Sequence, residues 1–140
     1  MAHRDGDHEQ AAREAAARQR LLAAGAATLP RMPWLARVQP PAAADLVRFA
    51  LWRSQVGSGG RAGAARGHTG SGTDELVAAL SLLPAARAEV DQTEAALLFT
   101  ARAHGLSWAQ ISQAMGLGSP QAAQQRFGRI TVRTRHPGGS

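Results

Sequence analysis

Two glycines, Gly105 and Gly116, constrain the C-terminal part of this chain most strongly, because each stands shortly before the start of a new helix. Glycine adopts the left-handed conformation that ends a helix without steric cost. Residues 107–110, Ser-Trp-Ala-Gln, have the pattern of a capping box, and Ser119 followed by Pro120 is typical of a helix start. The sequence therefore predicts three helices in close order, separated by two short turns.

The apolar residues of these segments follow helical spacing, which predicts that each helix hides one face in a shared core. The third helix is predicted over residues 120–130. The expected core residues are Leu97, Leu98, Ala101, Leu106, Trp108, Ile111, Met115, Leu117, Ala123, Phe127 and Ile130. We therefore expect an all-α fold in which a tri-helical helix-turn-helix module follows a long amphipathic helix, a Gly-rich linker and N-terminal helices.

The outer face of the predicted third helix is polar. If its apolar residues point inward, Gln121, Gln125 and Gly128 point directly away from the core, with Gln124 and Arg129 beside them. Glutamine can form two hydrogen bonds to adenine in the major groove of DNA, and arginine can do the same with guanine. This face has the donors and acceptors that base recognition requires.

The charge distribution also favours a nucleic-acid partner. The chain has a formal charge of +6, and all 16 of its basic residues are arginine. No acidic residue follows Glu94, whereas five arginines do, so residues 95–140 carry a net charge of +5. Such a segment is attracted to a phosphate backbone. RNA is a weaker candidate, because the few aromatic residues are expected to pack in the core rather than stack on bases.

Double-stranded DNA is therefore the predicted partner. The candidate DNA-binding residues are Ser119, Gln121, Gln124, Gln125, Arg126, Arg129, Arg133 and Arg135. Arg126 is equally suited to an ion pair with Glu94 that would join the first and third helices. Arg133 and Arg135 fall in a segment, 132–140, that is predicted to be a basic flexible tail, where they are either phosphate contacts or solvated charges.

The stretch GLSWAQISQAMGLGSPQAAQQRFGRI resembles the helix-turn-helix of homeodomain-like proteins. Its Gly-x-Ser-Trp-x-x-Ile-x-x-x-Met-Gly part resembles Myb/SANT-type domains and region 4 of sigma factors, which reads promoters. The chain from Leu76 to Ile130 most resembles small actinobacterial DNA-binding proteins described as transcriptional regulators of a small heat-shock protein. The resemblance does not extend to residues 1–72 or to the tail.

This resemblance implies that residues 120–130 are a recognition helix in the major groove, and that the protein is a transcriptional regulator or a nucleoid-associated protein. Two departures from the sigma-type pattern argue against carrying over promoter recognition: the turn from Gly116 to Ser119 is one residue longer, and Gln-Ala-Ala-Gln-Gln replaces a Thr-Val-Lys-like stretch. The alternative function is a protein–protein interaction module built on the same fold, with the aromatic residues of a helix near 42–56 as its partner site.

The remaining chain is predicted to have several segments. They are a disordered start (1–8), a helical extension with a Pro-rich connector (9–56), a Gly-rich linker (57–72) and the DNA-binding domain (73–131). One mainly apolar face is predicted along the long helix of that domain, formed by Leu76, Leu80, Leu83, Arg87, Val90, Glu94, Leu97 and Ala101.

Two features of this long helix allow alternatives. Pro84 predicts a kink or a break, and residues 91–94 resemble a capping box, so a continuous helix over 74–104 and a new helix from 91 both fit. The leucine face of 74–90 is a candidate homodimer contact, and its alternative is packing onto the module itself.

The composition argues against an enzyme. The chain has no cysteine and five scattered histidines, and no catalytic triad, metal cluster, phosphate-binding loop or pair of carboxylates is evident. We therefore expect no cofactor and no metal. The apolar runs are too short to span a membrane and the N-terminus is too polar for a signal peptide, which predicts a cytoplasmic protein located at the nucleoid.

Overall fold

Five α-helices account for most of the chain that the computed structural model describes, which comprises residues 2–30, 41–59 and 69–135. They are α1 (Ala2–Ala23), α2 (Ala43–Gly59), α3 (Thr69–Ala103), α4 (Trp108–Ala114) and α5 (Pro120–Arg135), with a 3₁₀ turn at Ala26–Thr28. The described ranges contain no strand, so the all-α prediction is confirmed for them. None of these helices is both long and apolar enough to cross a membrane.

The chain divides into two compact units, residues 1–87 and 88–140, and the division falls within α3. The sequence predicted a different grouping, with 73–131 in one domain. The difference arises because Ala78, Ala79 and Leu82 of α3 are buried in a core shared with α1 and α2.

Each of α1, α2 and α3 contributes at least one large side chain to the core of the N-terminal unit. Leu21 of α1, Leu46 and Phe49 of α2, and Leu82 of α3 are buried together. Each fully buried leucine contributes about 1.5–3 kcal/mol relative to an exposed one. The described part of residues 9–56, predicted to be a helical extension, is helical and contributes to this core.

A buried carboxylate also holds this unit together. Glu75 of α3 is buried and lies 3.0 Å from Nε of Arg53 in α2. Arg53 also donates to the carbonyl of Ala24, just after α1. Burying a charge is costly unless it is paired, so this contact fixes the position of α3 against α2. A second pair, Arg20 with Asp74 at 3.2 Å, is exposed and contributes little to stability.

The helices extend into segments for which the sequence predicted no regular structure. Residues 2–8, predicted to be disordered, form the first turns of α1, because the alanine-rich stretch after them extends a helix readily in both directions. Residues 57–59 and 69–72 of the predicted linker belong to α2 and α3. A helix tolerates a few glycines at a cost of about 1 kcal/mol each. The rest of the linker, 60–68, and residues 31–40 of the Pro-rich connector lie outside the described residues.

Helix α3 is continuous through Pro84, so of the two predicted alternatives the continuous helix is the one observed. The predicted capping box at 91–94 does not start a helix. Its carboxylates, Asp91 and Glu94, instead pair with Arg133 and Arg126 of α5. The missing hydrogen bond at Pro84 is a local cost that the packing on either side of it offsets.

The mainly apolar face predicted along α3 is exposed to solvent over much of its length. Five of its members are exposed: Leu76, Leu80, Arg87, Val90 and Leu97. The buried side is formed instead by Ala78, Ala79, Leu82 and Leu98. Alanines are small enough to let neighbouring helices approach, so the buried side of α3 includes Ala78 and Ala79 as well as leucines.

Truncation of one buried side chain in α2 tests the N-terminal core. We expect Leu46→Ala to lower the free energy of unfolding by about 2–5 kcal/mol, because it leaves a cavity among α1, α2 and α3. The matched control is Leu51→Ala on the exposed face of the same helix, which should change stability by less than about 0.5 kcal/mol. Urea unfolding followed by circular dichroism measures both. Equal effects would show that α2 is not packed as described.

Candidate nucleic-acid interface

The C-terminal unit has a small core to which three helices contribute. Leu98 of α3, Ile111 of α4 and Ala123 of α5 are buried together. The half-buried residues packed around them are Ala101, Trp108, Met115, Leu117 and Phe127. The rings of Trp108 and Phe127 are tilted at 46° with their centroids 5.8 Å apart, which is a favourable aromatic arrangement. Most of the predicted core residues are thus found in or around this cluster.

Three predicted core residues are not in it: Leu97, Leu106 and Ile130. Leu97 is 65% exposed, because its neighbour Leu98 occupies the inward position and successive residues of a helix differ by about 100° in direction. Leu106, in the turn after α3, is also exposed. Ile130 is fully buried, as predicted.

The predicted start of α4 is confirmed in detail. The backbone N–H of Gln110 donates to Oγ of Ser107 at 3.1 Å, and the N–H of Ser107 donates to Oε1 of Gln110 at 2.8 Å. These two bonds form the predicted capping box. Gly105, which precedes it, has a φ of 89° that glycine adopts easily, so the chain can turn sharply from α3 into α4.

The turn from α4 to α5 also follows the prediction. Gly116 has a φ of 69°, and the N–H of Leu117 donates to the carbonyl of Ser112 at 2.8 Å. Oγ of Ser119 accepts the N–H of Ala122 at 3.1 Å, so Ser119 caps the helix that starts at Pro120. These local bonds fix the point at which α5 begins.

Burial of its inner face determines which side of α5 is free. Ala123 and Ile130 are fully buried, while Gln121, Gln125 and Gly128 are exposed. A Cβ placed on Gly128 would meet no atom within 4 Å, so a ligand can approach the backbone there. The predicted outward face is therefore present in the structure.

All eight candidate DNA-binding residues lie on α5 or at its cap. Ser119 is half-buried and the other seven are exposed: Gln121, Gln124, Gln125, Arg126, Arg129, Arg133 and Arg135. The helix continues to Arg135, so residues 132–135 are helical rather than part of a flexible tail, and residues 136–140 lie outside the described part. Val132 extends the outward face by one turn and is 64% exposed.

Arg126 forms the ion pair with Glu94 that was one of its two predicted roles. Its Nε donates to Oε1 of Glu94, and its Nη2 donates to Oε2 at 3.3 Å. The hydrogen bond and charge of Glu94, helped by the charge of Asp91, raise the pKa of Arg126, while burial opposes the rise. The ion pair joins α5 to α3.

A second ion pair, which sequence reasoning missed, joins the same helices. Arg133 of α5 lies 3.7 Å from Asp91 of α3. The spacing of these residues could have predicted it. Asp91 and Glu94 are three residues apart and share one face of α3, and Arg126 and Arg133 are seven apart and share one face of α5. By contrast, Arg129 has no ion-pair partner within the described residues.

An open groove runs along this side of α5. It is lined by Gln125, Arg126, Gly128, Arg129, Val132 and Arg133. Its lining contains no acidic side chain, and its guanidinium groups offer donors in the planar arrangement that suits phosphate oxygens. Arg126 and Arg133 already pair with Glu94 and Asp91, so Arg129 is the lining arginine most available to an anion.

Comparison with protein-family models, with curated proteins and with solved structures found no match for this chain. In the described part of the chain, no three histidine, aspartate or glutamate side chains are grouped so that they could hold a metal ion.

Removing the side chain that caps α4 tests the contribution of this cap to stability. We expect Ser107→Ala to lower the stability of the protein by about 1 kcal/mol, because the N–H of Gln110 loses its acceptor. Gln113→Ala, at an exposed position of the same helix, is the control and should change stability by less than about 0.5 kcal/mol. Thermal unfolding measures the difference. Stability that is unchanged in Ser107→Ala would contradict a capping role.

Proposed function

We propose that this protein binds double-stranded DNA as a transcriptional regulator or nucleoid-associated protein, with residues 120–130 of α5 as the recognition helix. The observation that carries this proposal is the outward face of α5, which is exposed, rich in glutamine and arginine, and free of acidic residues. In this proposal α4, the turn at 115–119 and α5 form a helix-turn-helix.

The arrangement of α5 suits entry into the major groove. Base contacts in such proteins come mainly from the N-terminal part of the recognition helix, where Gln121 and Gln125 lie. Both can reach the donor and acceptor of an adenine edge. Gly128 permits close approach of the backbone, and the positive end of the helix dipole near Ser119 favours a phosphate.

The arginines of α5 divide into two groups. Arg126 and Arg133 already pair with carboxylates of α3, so a phosphate would have to share them. Arg129 and Arg135 have no such partner among the described residues and are exposed. We infer that Arg129 and Arg135 contact phosphate or guanine directly, while Arg126 and Arg133 mainly orient the helix.

The first test is fluorescence anisotropy of the intact protein with random-sequence duplex DNA at increasing salt. The combined variant Gln121→Ala/Gln125→Ala/Arg129→Ala should bind at least roughly tenfold more weakly, because it removes base and phosphate contacts together. The matched control, Arg48→Ala/Gln92→Ala/Gln113→Ala, also replaces one arginine and two glutamines. Its three positions are exposed and lie on other helices. It should bind nearly as well as the unaltered protein.

The salt dependence separates the possible outcomes. Affinity that falls steeply with salt, and falls further only in the α5 variant, is the expected result. Equal losses of affinity in both triple variants would mean that positive charge attracts DNA but that α5 makes no specific contact with it. No binding at low salt by a protein with a helical spectrum would overturn the proposal.

The division of the arginines gives a separate prediction. Arg129→Ala should weaken DNA binding and reduce the salt slope by about one, because one phosphate contact is lost. Arg133→Ala removes the same charge from the same helix, yet it should reduce affinity less, because Asp91 already competes for this arginine. Anisotropy titrations at several salt concentrations compare the two. A larger loss in Arg133→Ala would reverse the assignment.

A protein–protein interaction module is the second candidate, favoured by one observation. Leu51, Trp52 and Val56 are exposed on α2, and Trp52 is 58% exposed although its ring lies near that of Phe49. Large exposed apolar groups near one another are typical of partner sites. DNA binding that is absent at low salt, together with loss of a partner on Trp52→Ala, would support this candidate over the first.

A further inference from the structure

We propose that Val132 is a specificity-determining residue of α5, which contacts the 5-methyl group of a thymine in the major groove and gives the protein a preference for sites with A·T pairs. The inference rests on the proposed DNA binding and deepens it, because it names a chemical group of the DNA that the helix recognises. Val132 does not belong to the eight candidate residues that the sequence indicates.

Val132 is the one large apolar side chain of α5 that is exposed, at 64%. The other large apolar residues of this helix, Phe127 and Ile130, are half-buried and buried. An isolated exposed valine is common on protein surfaces, so exposure alone implies no role. The argument for Val132 comes from its position among the polar residues of α5.

Val132 shares its side of α5 with the two outward glutamines. Gln125 and Gln121 precede it by seven and eleven residues, so both project within about 20° of Val132 around the helix axis. Gln125 lies about 10 Å from Val132 along that axis, which corresponds to about three base-pair steps of DNA. If the glutamines contact base edges, Val132 therefore faces base edges as well.

Two exposed arginines flank Val132. Arg129 comes three residues before it and Arg135 three residues after it, so they project about 60° to either side. In the major groove the base edges lie between the phosphates of the two strands. An apolar group between two cations therefore meets the bases when the cations meet the phosphates. This arrangement assigns Val132 to the floor of the groove.

The chemistry of the base edges selects the group that Val132 contacts. In the major groove an A·T pair presents the hydrogen-bonding groups of adenine and the 5-methyl of thymine, whereas a G·C pair presents no methyl group. Valine cannot form a side-chain hydrogen bond, so the methyl is the group that gains from contact with it. The nearby Gly128 leaves space for this contact, because a Cβ placed there would meet no atom within 4 Å.

Deoxyuridine tests this contact, because it lacks only the 5-methyl group of thymidine. Fluorescence anisotropy of the intact protein compares a non-repeating duplex of A·T pairs with the same duplex in which deoxyuridine replaces every thymidine. We expect the unaltered protein to bind the thymidine duplex about fourfold more tightly, which is the gain from removing one methyl group from water. Val132→Ser should bind the two duplexes with equal affinity.

The matched control is Val56→Ser, which replaces an exposed valine of α2 and should keep the preference for thymidine. Circular dichroism checks that both variants keep their helices. Equal binding of the two duplexes by the unaltered protein would overturn the role of Val132 and leave DNA binding intact. A preference that persists in Val132→Ser would assign the methyl contact to another residue and overturn the inference. Failure to bind either duplex at low salt would instead overturn the proposed function.

Discussion

The direction in which α5 presents its side chains depends on one packing contact, the burial of Ala123 against Leu98 and Ile111. Ala123 is small enough to let α5 approach α3 and α4, and its complete burial leaves the opposite side of the helix exposed. The glutamines of that side are free because this contact holds the helix in one rotational position. A larger residue at 123 would push the helix outward and change what the exposed face presents.

Electrostatic contacts refine this position. Glu94 and Asp91 form ion pairs with Arg126 and Arg133. Two arginines of α5 therefore help to orient this helix against α3. Glu94 has only 17% of its side chain exposed, and such a carboxylate needs a cationic partner. The arginines of α5 therefore differ: Arg126 and Arg133 form ion pairs with α3, whereas Arg129 has no ion-pair partner among the described residues.

Helix α3 contributes buried residues to the cores of both units. Its first part supplies Ala78, Ala79 and Leu82 to the N-terminal core, and its last part supplies Leu98 to the C-terminal one. Two alanines and Leu82 make the first of these contacts, which leaves Leu76 and Leu80 exposed on the other side. The same division leaves apolar side chains of α3 exposed to solvent.

The sequence by itself determined the C-terminal helices, because their ends are encoded by local chemistry. Gly105, Gly116, the Ser107 capping box and the Ser119 cap need only neighbouring residues, and the outward face of α5 follows from helical periodicity. Tertiary structure decided the rest. Whether α3 breaks at Pro84, whether Asp91 caps a helix or pairs with Arg133, and which side of α3 is buried all depend on helices distant in sequence. Contacts of that kind join residues that are far apart in the sequence, and alanines that pack closely look the same in a sequence as alanines that face solvent.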